Sequence, residues 1–315
     1  MNSKGNQPVL IIVGPTAVGK TDLAIRLAGV IDSEIISADS RLLYRGMNIG
    51  TAKPSKIQLN AVQHHMVDIA EPQDTWSLAK YKEHVKNAID DVQARGRLPI
   101  LVGGTGQYVR SLIEGWDVPE VAPDTRMRSV LETWGNEIGT RELHRKLDLL
   151  DPEAAGLNDP ENLRRTVRAL EVIFLTGYRF SDQRLKTDPL HNYKVIGLKR
   201  PREELYKRVD SRIDCMFAEG FVKEVEGLLA SGIPLESHSL SAIGYSEVVR
   251  YLQGELNIEE VIAMMRKKTR NFIRKQANWF KLDDPYIEWF EMEPDPIEEI
   301  HSSVKHWLSK GYSNE

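Results

Sequence analysis

The hydrophobic positions of this chain change period along its length. Pro8–Val13 is an unbroken apolar, β-branched run and predicts a buried strand. Thr21–Ile31 places Leu23, Ala24, Leu27, Ala28 and Ile31 at helical spacing. Glu34–Ser37 predicts a second, short strand running into Asp39-Ser40. Ser77–Arg95, with Leu78, Tyr81, Val85, Ala88, Ile89 and Val92 on one face, predicts another helix. Leu98–Val102 is a third buried strand, ended by Gly103-Gly104, and Gln107–Glu114 is helical again. Strands alternating with helices in this way imply an α/β fold, with a parallel sheet flanked by helices.

From about Val118 to Leu190 the strand signal vanishes. Helical runs are punctuated by Pro119, Pro123, Asp124, Asp151-Pro152 and Asp159-Pro160. Lys194–Leu198 restores a β-like run. The remainder reads as helix: Arg202–Met216, Gly220–Ala230, Ser239–Leu252, and a long helix from about Ile258 to Phe280 with Asn257 as its N-cap. The expected organisation is a catalytic core formed by residues 1–117 and 190–315, with an all-helical insertion at 118–189.

Composition adds little to this and removes some options. Across 315 residues, 41% hydrophobic and 28% charged content describe an ordinary globular protein. The apolar run after the polar leader is too short for a membrane span, so a cytoplasmic protein without a membrane partner is expected, and a monomer. The single cysteine, Cys215, cannot form an internal disulfide and reads as a small core residue at helical spacing. A formal net charge of −4 argues against a protein that coats nucleic acid non-specifically, though not against a local basic surface.

The chemistry starts at Gly14-Pro15-Thr16-Ala17-Val18-Gly19-Lys20-Thr21, which matches G-x-x-x-x-G-K-[ST] between a buried strand and an amphipathic helix. Glycines allow the tight turn, and the helix start adds partial positive charge. Lys20 is placed to reach terminal phosphates and the Thr21 hydroxyl to ligate Mg²⁺. The loop does not name its substrate. A P-loop small-molecule kinase would need an acid at another strand end, and here only the strand ending at Asp39 delivers one, since Leu98–Val102 runs into Gly103-Gly104-Thr105-Gly106.

From Ile36 to Pro54, ISADSRLLYRGMNIGTAKP, the sequence resembles the tRNA dimethylallyltransferase (tRNA isopentenyltransferase) family. The likeness continues through HHMVDI (His64–Ile69), LVGGTGQYV (Leu101–Val109), NLRRTVRALEV (Asn162–Val172), Thr176-Gly177, RVDSRIDCMFAEGFVKEV (Arg208–Val225), SAIGYSEV (Ser241–Val248) and TRNFIRKQANWF (Thr269–Phe280). The resemblance implies a P-loop NTPase-like core with an inserted helical domain that contacts tRNA. It also implies a reaction: transfer of the five-carbon group of dimethylallyl diphosphate to N6 of an adenosine in the anticodon stem-loop of tRNA. By that resemblance Asp39 is the base, Thr105 a catalytic residue, and Arg212, with Arg208 one turn earlier, a diphosphate ligand. It puts tRNA contacts on Asp39, Ser40, Arg41 and Leu42, on Arg128, on Arg164, Arg165 and Arg168, and on Ser241, Ala242, Ile243, Gly244, Tyr245 and Ser246. The chain departs from the family pattern at Arg41-Leu42-Leu43, where many members read Met-Gln-Val, which removes one polar group from the acceptor side. An adenylate isopentenyltransferase acting on free AMP or ATP would need the same loop and base but no tRNA surface.

Two further features bear on that choice. Met264–Lys281 holds seven cations and no acid, and Arg266, Arg270 and Arg274 repeat every fourth residue, the stripe expected for a phosphate backbone. His64-His65 has no acid or thiol at ligand spacing and reads as packing rather than metal binding.

Overall fold

The computed structural model describes residues 7–116, 121, 124–183 and 189–311; Pro119 and Pro123 lie outside them. In chain order the elements are β1 (Pro8–Val13), α1 (Lys20–Ala28), β2 (Ser33–Ser37), α2 (Lys56–Ala61), β3 (His64–His65), α3 (Leu78–Ala94), β4 (Leu98–Val102) and α4 (Gly106–Ile113). Then follow α5 (Thr125–Ile138), α6 (Thr140–Leu150), α7 (Pro152–Leu157), α8 (Leu163–Thr176), β5 (Asn192–Lys199), α9 (Arg202–Ala218) and α10 (Phe221–Ala230). After a 3₁₀ turn at His238–Ser241 come α11 (Tyr245–Leu252), α12 (Ile258–Trp279), β6 (Ile287–Glu291) and α13 (Ile297–Gly311).

All six strands form one parallel sheet in the order β3-β2-β4-β1-β5-β6. β1 lies between β4 and β5, with Leu10 opposite Ile100 and Lys194. β1, β2 and β4 are buried along nearly their whole length, as the continuous apolar runs of β1 and β4 require. The carboxyl ends of these three strands open into Gly14, Asp39 and Gly103, the edge where parallel sheets carry their ligands.

The chain separates into two compact units: residues 1–76, 83–110 and 190–315, and residues 77–82 and 111–189. The second therefore takes in more chain than the expected insertion at 118–189. It is built from α5–α8 around Leu131, Leu143, Leu147, Val167 and Leu170, and its described residues hold no strand.

Several expectations need correction. The chain after β5 is not wholly helical, because β6 adds an edge strand and α13 follows it. The expected helix Ser239–Leu252 is broken where Gly244 adopts φ +97°. There a Cβ would meet Met265 Cε at 2.7 Å. Cys215 is exposed, not core. The inward face of α9 is Leu205, Val209, Ile213 and Met216, and Cys215 falls off that stripe.

His64 and His65 form a short edge strand. His65 Nε2 lies 2.6 Å from Glu34 Oε2, and His64 Nδ1 lies 2.7 Å from the Val62 carbonyl. Glu34, 1% exposed, also accepts from Arg95 Nε at 2.9 Å and Nη2 at 2.7 Å, and from Arg97 Nη1 at 2.9 Å. The Arg95 hydrogen bonds hold its carboxyl well below the ordinary 4.5, at about 2. Such a group stabilises the fold above its unfolded pKa and ceases to do so as pH falls through its folded one. Glu34→Gln is expected to cost about 2–3 kcal/mol at pH 7, somewhat less than a fully buried pair because the arginines stay half exposed. In urea titrations the gap between wild type and variant should close between pH 4.5 and 2. A gap that stays constant over that window would remove the cluster from this role.

Candidate active site

The loop between β1 and α1 is held by its carbonyls. Lys20 Nζ donates to the Gly14 and Pro15 oxygens at 2.9 and 2.8 Å, Arg208 Nε to the Ala17 oxygen at 2.8 Å, and Arg200 Nε to the Val18 oxygen at 3.1 Å. In a trans peptide the N–H points opposite the C=O, so turning these carbonyls to the cations turns the following amides the other way. Gly14 sits at φ +146° with its absent Cβ 2.6 Å from the Leu198 carbonyl, so no side chain fits there. Gly19, at φ +111°, precedes α1, whose N-terminus has no side-chain cap. The first-turn amides of α1 remain a site for an anion. Arg208 thus braces the loop's backbone through its Nε. Thr16 N–H is committed elsewhere: it donates to Gln276 Oε1 at 2.8 Å.

Asp39 follows β2 in a tight turn. Its Oδ1 accepts from Arg41 N–H at 2.8 Å, and its own N–H donates to Ser37 Oγ at 3.2 Å. Across from it, the turn after β4 passes so near that a Cβ on Gly103 would lie 2.3 Å from the Ala38 oxygen. Thr105 Oγ1 accepts from Ser40 N–H at 3.3 Å, and the Thr105 carbonyl accepts from Tyr108 and Val109 at the start of α4. Thr105 therefore orients the Asp39-Ser40 turn and starts a helix.

These elements enclose a cavity of about 330 Å³ lined by Thr16, Ala17, Gly19, Lys20 and Thr21 on one side, Asp39 and Leu42 on another, and Arg212 on a third. Lys53, Ile49 and Met216 complete its walls. Burial lowers the Lys20 pKa to about 8; the Asp39 carboxylate opposes that shift and Arg212 adds to it. The three predicted groups, Lys20, Asp39 and Arg212, thus face one space.

The residues matched to tRNA-contacting segments divide. Ser241 is exposed, and Arg41 Nη2 reaches its hydroxyl at 3.2 Å while Nη1 donates to the His238 carbonyl at 3.0 Å. Ile243 and Ser246 are half-buried. Ala242, Gly244 and Tyr245 are buried, and the Ala242 and Tyr245 side chains face the interior. Tyr245 donates to Glu224 Oε1 at 2.6 Å, and Glu224 also accepts from the Asn48, Ile49 and Gly50 amides at 2.9, 2.7 and 3.2 Å. In the second unit Arg164 and Arg165 are exposed at the start of α8. Arg128 and Arg168 instead share Glu171, which is 0% exposed: Arg128 Nε lies 2.9 Å from Oε2, and Arg168 Nη1 2.7 Å from the same oxygen. These two arginines satisfy a buried acid before they serve any ligand. The stripe on α12 is also partly answered, because Arg266 pairs with Asp214 at 2.6 Å and Arg270 with Asp210 at 2.5 Å.

Sequence reading missed Gln276, Arg200, Glu224, Tyr44 and Tyr108. Burial first, then the neighbouring Tyr44 and Asp39, push the Tyr108 hydroxyl up to about 12, so it stays protonated beside the acid; Arg41 opposes the shift.

A sheet of this order with a cation-bound glycine loop at its carboxyl edge defines a phosphate-loop enzyme of the α/β class, with the Asp39 carboxylate lining the same cleft. The IPP transferase family model matches residues 42–283, and the chain belongs to that family. It is 45% identical over 301 residues to a tRNA dimethylallyltransferase of Roseiflexus sp., covering 96% of this chain and 99% of the relative. It is 41% identical over 303 residues to one of Thermomicrobium roseum, covering 96% and 92%. Among solved structures it is similar to a tRNA isopentenylpyrophosphate transferase from Bacillus halodurans, at 37% identity and a TM-score of 0.73 over 97% of this chain and 98% of that one.

With a Lys20 pKa of about 8, Lys20 gives up its charge as pH rises through 8. Calorimetric affinity for a non-reactive alkyl diphosphate, whose own protons are gone by then, should bend downward through pH 8. It should then weaken by up to about tenfold per pH unit. Lys20→Met should abolish that dependence; an unchanged alkaline limb in the variant would assign it to another group.

Proposed function

We infer that the protein transfers a dimethylallyl group from dimethylallyl diphosphate to N6 of an adenosine next to the anticodon of tRNA, releasing diphosphate. The observation that carries this reading is the convergence of Lys20, Arg212 and the Asp39 carboxylate on one cleft, in a chain whose relatives are named for that reaction. The N6–carbon bond forms as the carbon–oxygen bond breaks. The bonding electrons leave with the diphosphate, and the proton lost from N6 passes to Asp39. Developing charge on the leaving group meets Lys20, the first-turn amides of α1 and the Arg212 guanidinium, and one such donor is typically worth about 3–4 kcal/mol of barrier.

Mg²⁺ fits the donor set by its chemistry. Thr21 and Asp22 supply hard oxygens at the cleft, and the described residues contain no cluster of three acids, histidines or cysteines that could cage a metal. An ion here would take most of its ligands from diphosphate and water, the habit of Mg²⁺. Bound so, it would offset the charge of the leaving group. Thr21 would be its direct ligand.

The polynucleotide acceptor is supported by cations that serve no evident structural end. Arg164 and Arg165 stand in the first turn of α8, where positive charge opposes the helix dipole. Lys267 and Lys275 are exposed on α12 beside Arg274. An acceptor as small as AMP needs none of these. Every group in the mechanism comes from one chain, so a monomer suffices, and no described helix is long and apolar enough to cross a membrane.

Incubation with labelled dimethylallyl diphosphate, Mg²⁺ and either bulk tRNA or AMP should label tRNA alone; label in AMP would assign the smaller acceptor. Asp39→Asn keeps the shape of the turn and should lower kcat by about 10²–10⁴-fold with tRNA affinity near wild type. A loss below tenfold would remove Asp39 as base. Charge removal at Arg164 and Arg165 together should weaken tRNA binding and flatten its salt slope by about 2. An unchanged slope would place the RNA elsewhere.

A further inference from the structure

Gln276 is 4% exposed, on the last turn of a helix whose neighbouring positions carry cations. A buried primary amide must find partners for both of its ends. Here Oε1 accepts the Thr16 N–H of the phosphate loop at 2.8 Å, and Nε2 donates to the Gly104 carbonyl of the turn after β4 at 3.1 Å. The two partners fix which end is oxygen, since an amide N–H can only donate and a carbonyl can only accept. The fit is close on the turn side as well, where a Cβ on Gly104 would lie 2.2 Å from Nε2. One residue further along that turn, the Thr105 hydroxyl holds the backbone next to Asp39.

The helix that delivers Gln276 is anchored just beyond it. Arg110 of α4 donates to the Trp279 carbonyl at 3.1 and 2.8 Å, and Gly106 lies so close to the Trp279 ring that a Cβ would meet Cγ at 2.1 Å. The amide is therefore fixed at both ends and at its backbone.

We propose that Gln276 is a positioning residue that clasps the donor's phosphate loop to the turn that orients Asp39, and so sets the distance between leaving group and base. The assignment rests on the prenyl-transfer reading above. Neither hydrogen bond touches the substrates. Loss of the clasp lets the two loops drift while each keeps its own ligands, so binding survives and the reaction geometry does not. A misplacement of about 1 Å costs on the order of 10²-fold in rate.

Gln276→Ala should lower kcat by about 30–100-fold, with KM for donor and tRNA each within threefold of wild type. Amide exchange in residues 14–18 should rise in the unliganded variant. Gln276→Glu carries a second signature. Its carboxylate can still accept from Thr16 but cannot donate to Gly104, whereas its protonated form can do both. The ratio of its kcat to that of wild type should therefore rise at least fivefold from pH 8 to pH 5.5, while the ratio for Gln276→Ala stays flat. A purely structural role would alter thermal stability without that pH signature. The clasp is overturned if Gln276→Ala stays within threefold of wild-type kcat, if its loss resides in KM, or if the Gln276→Glu ratio is flat. Should Gln276→Ala fail to fold, the Gln276→Glu profile decides alone. A wild-type protein that transfers no prenyl group overturns the functional reading itself, and the clasp with it, whereas active wild type with indifferent variants overturns only the clasp.

Discussion

Everything at the carboxyl edge of the sheet depends on one constraint: the carbonyls of the phosphate loop are pulled outward by cations. Lys20 takes those of Gly14 and Pro15, Arg208 that of Ala17 and Arg200 that of Val18. Because the peptide group is planar, this fixes the amides as firmly as the carbonyls. An anion site made of backbone dipoles is only as good as the orientation of those dipoles, and here the orientation is imposed by side chains: Lys20 at the start of α1, Arg208 on α9 and Arg200 just before α9. The positive charges brace the loop, and on the prenyl-transfer reading proposed above they would also supply a field that favours diphosphate in the cleft.

The same economy shapes the acceptor side. Asp39 is held by its own turn, and that turn by Thr105 and by Arg41, which reaches back to the start of the SAIGYS segment. That segment puts Tyr245 inside, where with Glu224 it secures the backbone of Asn48–Gly50 along one wall of the cavity. Within that segment Tyr245 therefore acts one layer behind the surface, while Ser241 stays exposed.

Local pattern revealed the parts whose causes are local. The strand–loop–helix at Gly14–Lys20, the buried runs of β1 and β4, and the Asn257 cap of α12 are each written within a dozen residues. Asp39 was visible because it ends a strand. β6, by contrast, reads Ile-Glu-Trp-Phe-Glu, and its partner β5 lies some ninety residues earlier in the chain. The stripe on α12 looked unopposed because its acids, Asp210 and Asp214, sit on α9, with 60 and 52 residues between partners. Gln276 was invisible for the same reason in stronger form, its partners being 260 and 172 positions away. A buried amide carries no periodicity signal; only the fold shows what its two ends are for.

The resting position of Lys20 has a consequence of its own. With two loop carbonyls already in hand, its ammonium gains little from chloride or a lone carboxylate, either of which must displace contacts nearly as good as those it brings. A diphosphate offers several oxygens at once and, bound as proposed above, would recruit the helix amides and Arg212 as well. On the prenyl-transfer reading, that self-contact would set a threshold that only a polydentate anion crosses.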